Sequence, residues 1–93
     1  MTAPFDLQGT FPADARFAAP LRALAAHAAT HAGCTAEVTA SFADAVDAAF
    51  RAGLTSVAAG TDIPVLIQHT AGELSAVLTC GAPVRITRPV PVD

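Results

Sequence analysis

The chain has no lysine, no tryptophan and no tyrosine, and its five arginines face eight acidic residues for a net charge of −3. So few cations leave no basic footprint for nucleic acid or for an anionic membrane surface. Charged residues are scarce as well, 14% against 53% hydrophobic, and that balance excludes intrinsic disorder. No apolar run approaches the roughly 20 residues that a spanning helix needs. The opening Met1-Thr2-Ala3-Pro4-Phe5-Asp6 has neither a basic stretch nor an apolar core, so no export signal is expected. Cysteine is limited to Cys34 and Cys80, which points to two reduced thiols in a cytoplasmic setting rather than a disulfide scaffold. What is plentiful is alanine, at 23 of 93 residues, so the apolar fraction overstates the bulky volume available for a core. That length predicts a single domain over 1–93 with a narrow stability margin.

Hydrophobic spacing divides the chain into segments. Phe5, Leu7, Gly9 and Phe11 alternate with Asp6, Gln8 and Thr10, which predicts a half-buried strand over 5–11 ended by Pro12. Asp14 is placed to cap a helix over about 15–32, with Phe17, Leu21, Leu24, Ala28 and Ala32 on one stripe. Pro20 belongs to its first turn or kinks it, and Gly33 is the stop. Thr35 opens a second helix to about Ala52, whose stripe is Val38, Phe42, Ala45, Ala49 and Ala52, widened by Val46 and Phe50. Residues 53–62 read as a loop. Ile63 to Thr70 and Leu74 to Cys80 alternate as strands joined through Ala71-Gly72-Glu73. Val84 to Arg88 is the candidate fourth strand, and 89–93 is an extended tail, loose at its end.

The order strand, helix, helix, strand, strand and a further short strand segregates the two kinds of element. It predicts an α+β two-layer sandwich, with two helices on one face of a mostly antiparallel sheet of three or four strands. The other face, carrying residues such as Leu66 and Val77, is expected to be half-apolar.

The turn Phe11-Pro12-Ala13, the pair Leu21-Arg22, Gly33, the segment Ala45-Val46-Asp47-Ala48-Ala49-Phe50 and the hairpin Gly72-Glu73-Leu74 occur in a telling order. Over roughly residues 5–86 the chain resembles the front part of the anti-sigma-factor serine kinases, within the histidine-kinase-like (GHKL) ATPases. The resemblance implies a nucleotide pocket built on the second helix and the hairpin. In the family that helix carries a Glu that prepares the attacking group and, four residues on, an Asn that holds magnesium. Aligned from Gly33, these positions fall on Ala48 and Ala52, which neither bind a metal nor move a proton. A register that recruits Asp44 or Asp47 leaves Ala48 or Arg51 where the Asn is required. The adenine-reading Asp falls near Cys80, with Gly81 keeping the turn, and the sequence ends short of the family's glycine-rich lid. The resemblance thus implies an ATPase fold without ATPase activity, its pocket vestigial at Ala48, Ala52, Cys80 and Gly81.

Other constellations are open to plainer readings. His27, His31 and Cys34 are spaced i, i+4, i+7, and Cys80 or His69 could complete a zinc set, yet no Cys-x-x-Cys knuckle is present. Ala28 stands where HExxH has its Glu, so that protease motif is absent. Cys80 beside His69 would be a nucleophile and base if strand register allowed it. Asp44 and Asp47 read as a solvated face with Arg51 as partner, and Arg85 and Arg88 as solubilising charges. The sequence therefore predicts a protein without catalytic residues, cofactor or resident metal. It is expected to be an interaction or regulatory module that binds a second copy of itself or another regulatory protein, and neither nucleic acid nor membrane. A reduced ligand or nucleotide pocket and a zinc-stabilised module are the alternatives.

Overall fold

A computed structural model of the chain describes residues 4–70 and 72–90. Met1–Ala3, Ala71 and residues 91–93, where part of the hairpin turn and the end of the expected tail fall, lie outside the described residues. The order is β1 (Phe5–Pro12), a 3-10 turn (Ala15–Phe17), α1 (Ala18–Ala32), α2 (Ala36–Gly53), β2 (Asp62–Thr70), β3 (Glu73–Cys80) and β4 (Ala82–Pro89). All four strands form one antiparallel sheet in the order β1-β2-β3-β4. Both helices are inserted between the first two strands. The α+β class and the segregated layers are as expected, and the fourth strand runs longer than Val84 to Arg88.

Local chemistry accounts for the boundaries. Asp14 accepts from the Arg16 amide at 2.9 Å and so opens the 3-10 turn rather than the α-helix itself. Pro20 is the third residue of α1, where its missing N–H would have had no partner, so it causes no kink. Gly33 ends α1 with φ 92°, and the amides of Gly33 and Cys34 return to the carbonyls of Thr30 and Ala29. This paired closure needs a left-handed residue, which glycine supplies without Cβ strain. Thr35 caps α2 through the Val38 amide at 3.2 Å. Val90, within the expected loose tail, is buried, and its N–H donates to the Gly72 carbonyl at 3.0 Å.

The core lies between the helices and the two central strands. Phe42, Val46 and Phe50 of α2 meet Ile63 and Ile67 of β2 and Leu74 and Leu78 of β3, all fully buried. Each such side chain contributes roughly 1.5–3 kcal/mol on burial. The buried face of α1 is Leu21 with Ala18, Ala25, Ala28, Ala29 and Ala32, and Leu24 is only half-buried. Its stripe is rotated from the expected one because the alanines let α1 close tightly on α2. Ala52, placed on the α2 stripe by spacing, is exposed, and Phe50 and Gly53 take the buried positions.

Candidate interaction surface

The pocket positions implied by the family resemblance do not converge on a cavity. Ala48 and Ala52 are exposed on α2, whereas Cys80 is buried at the end of β3. Gly53 closes that corner: a Cβ on it would overlap Cys80 Sγ and come within 2.7 Å of Cys80 Cβ. Gly81 alone links Cys80 to Ala82 across the β3–β4 turn with φ 85°, keeping the turn and holding no ligand group.

His27 and His31 are exposed, and the left-handed Gly33 breaks the helix before Cys34, so the i+7 position never reaches the histidine face. Among the described residues no group of three or more His, Cys, Asp or Glu could hold a metal ion. His31 instead packs on the Phe5 ring at 5.5 Å, and Phe5 in turn packs on His69 at 5.3 Å. His69 is buried with its Nδ1 unpartnered. It lies opposite Leu74, while Cys80 is six residues farther along β3. At about 3.3 Å per residue the two groups stand roughly 20 Å apart, which removes the nucleophile–base pair.

The thiols are distant too, since Cys34 precedes α2 and Cys80 packs on its last residue, Gly53. A helix of 18 residues separates them by about 27 Å. Burial pushes both thiols up from their ordinary value, so they stay protonated and weakly nucleophilic at neutral pH. The charges are mostly spoken for. Asp44 pairs with Arg22, Asp47 with Arg51 at 3.2 Å, Asp14 with Arg16 at 2.9 Å and Glu73 with Arg85 at 3.5 Å. Arg88 donates to Ser41 at 3.0 Å.

The face turned away from the helices is less apolar than the spacing suggests. Leu66 and Val77 lie opposite one another, half-buried, amid Gln8, Gln68, Ser75, Thr79 and Arg85. The exposed large apolar side chains among the described residues are Leu7, 37% exposed, and Val84, 41%, which flank the helix layer on the two edge strands. Beside Leu7 the strand thins at Gly9, where a Cβ would meet nothing within 4 Å. The space is a cavity of about 150 Å³ lined by Leu7, Phe11, Leu24, Val65 and Ile67 with the neighbouring backbone. On the opposite sheet face a shallow basin of about 490 Å³ spans Thr10, Pro64, Leu66, Val77 and Thr79, and it too reaches Gly9.

No family model matches the chain, and no curated protein or solved structure matches it. The surface around Gly9 was missed by pattern reading, which placed that residue on the core face as an ordinary member of the alternation. Its signal was a lone glycine inside a strand, which leaves no side chain to pack and marks a gap or a close approach.

Proposed function

We propose that this chain is a non-catalytic interaction module that docks a protein through the free edge of β1 and the apolar notch at Gly9. The observation that carries the reading is the contrast between the two sheet edges. On β4, prolines at 83 and 89 and arginines at 85 and 88 guard the outer strand. Such prolines and cations are the usual defence against edge pairing. β1 carries a proline only as its last residue, Pro12, and one charge, Asp6, which accepts from Gln68 at 3.3 Å, so it lacks an inner proline and any cation. Its backbone edge, Leu7 and the notch together offer hydrogen bonds and an apolar pocket, the combination by which strand addition gains affinity and specificity.

Kinship with the anti-sigma-factor kinases is part of this proposal, supported by the element order and the Phe11-Pro12-Ala13 turn. The filled corner at Gly53 and Cys80 supports the loss of nucleotide binding. The separation of the two thiols accords with a reducing, cytoplasmic setting, and no described helix is long and apolar enough to cross a membrane. A second reading, a small ligand in the basin bordered by Thr10 and Thr79, has that basin's size in its favour. Thermal melts with ATP, ADP and Mg²⁺ separate the two. An unchanged midpoint is expected, and a concentration-dependent rise would place the ligand reading first.

A further inference from the structure

We infer that the occupant of the β1 edge is β1 of a second copy, paired antiparallel about a twofold axis at Gln8. Leu7 of each chain then enters the Gly9 notch of the other. The inference rests on the interaction reading above. In an antiparallel pair, residues directly opposite share a sheet face and the same hydrogen-bond orientation. A twofold axis must therefore pass through a residue, and near the middle of β1 the choices are Leu7, Gln8 and Gly9. At Leu7 the two leucines meet each other and the notches receive Phe5. At Gly9 the two glycines face one another, both notches stay open, and Leu7 is forced against Phe11.

At Gln8 the faces fit. Leu7 lies opposite Gly9 twice, Phe5 opposite Phe11, Asp6 opposite Thr10 and Gln8 opposite itself, by the alternation of β1. The lone acid of each strand thus meets a hydroxyl and not the other acid. The notch offers about 150 Å³, walled by Phe11, Leu24, Val65 and Ile67. Val84, the other exposed apolar residue, sits on a guarded strand and has no glycine opposite it in the sheet, where its partner is Leu78. The seven residues from Phe5 to Phe11 are far fewer than the roughly 20–30 a side of a standard interface. The dimer is accordingly a weak one that dissociates on dilution.

Sedimentation equilibrium from about 10 μM to about 1 mM tests the inference, a range chosen for a sub-standard interface. The wild type passes from monomer to dimer across it. Gly9→Val places its methyls in the notch from a Cβ that has no neighbour within 4 Å, so the chain folds and its dissociation constant rises about tenfold or more, as does that of Leu7→Lys. Gln8→Cys, oxidised with added diamide, which takes up the two electrons and two protons, forms an intermolecular disulfide at position 8, located by peptide mapping, and only an axis at Gln8 brings two copies of that position together. A wild type monomeric at about 1 mM, single variants without effect, or a Gln8→Cys chain that stays monomeric under diamide overturns the inference. If the chain is monomeric throughout while an added extended peptide protects the β1 amides from exchange, self-pairing falls and the interaction reading stands. If β1 responds to neither and Mg²⁺-ATP raises the melting midpoint, both fall.

Discussion

Replacing Gly53 with alanine tests the corner where the helix layer meets the end of β3. On propensity alone Gly53→Ala should help, by up to about 1 kcal/mol in a helix interior and less at its last residue. The packing opposes it. The new methyl would sit 2.7 Å from Cys80 Cβ and would overlap Cys80 Sγ. Rotating the cysteine side chain moves the sulfur away, but Cβ is fixed to the strand. Reaching an ordinary carbon contact of about 3.5 Å requires the end of α2 or of β3 to shift by nearly 1 Å. Overpacking of that kind costs typically 1–3 kcal/mol, so the net loss is about 1–2 kcal/mol. For a domain of this length that lowers Tm by roughly 4–16 °C. Urea melts followed by far-ultraviolet circular dichroism are the assay, since the chain has no tryptophan or tyrosine to report by fluorescence. Cys80→Gly removes both offending atoms, and in that background Gly53→Ala becomes neutral or stabilising. Cys80→Ala keeps Cβ and rescues little. A Gly53→Ala protein as stable as the wild type, or full rescue by Cys80→Ala, refutes the reasoning.

Two further outcomes follow from the same geometry. Burial raises the Cys34 and Cys80 thiols above the ordinary thiol value in the folded state, so the unfolded chain loses its thiol protons first as pH rises. Stability is therefore full below about pH 9 and declines above it, which urea midpoints across pH 7–11 would show as a fall removed by the Cys34→Ala, Cys80→Ala pair. His69 buries an unpartnered Nδ1 against Phe5, so His69→Leu, which removes the orphaned atom with little change in volume, is expected to stabilise the fold by about 1 kcal/mol. A loss of stability in His69→Leu would show that the imidazole has a partner within the fold.

Much of the architecture was legible because it depends on local period. The alternation from Phe5 to Phe11 located β1, the caps Thr35 and Gly33 located the helix ends, and the hairpin strands alternated cleanly. What local period does not carry is pairing across distance. Spacing allowed Cys80 and His69 to share a sheet face and gave no sign that register sets them at opposite ends of the hairpin. Spacing likewise put His27, His31 and Cys34 on one helical line, whereas the Gly33 closure turns the chain before the third member. The burial of α2 was misjudged at Ala52 for a similar reason: alanine fits either side of a helix, and only the position of the sheet decides which.

The alanine abundance explains why a surface exists at β1 at all. A helix faced with leucine or phenylalanine would stand off from its neighbours and spread over the sheet. With Ala18, Ala25, Ala28, Ala29 and Ala32 buried, α1 instead presents small side chains that allow close approach to its neighbours. Leu24 of α1 lines the notch, and His31 packs on Phe5. Between them Leu7 stays in solvent and the space beside Gly9 is open. On β4, which α2 approaches closely enough for Arg88 to reach Ser41, Val84 is exposed as well, but Arg85, Arg88 and Pro83 make that edge a poor template. Of the two edges, β1 has no arginine and no proline before its last residue, and it is the one left able to pair.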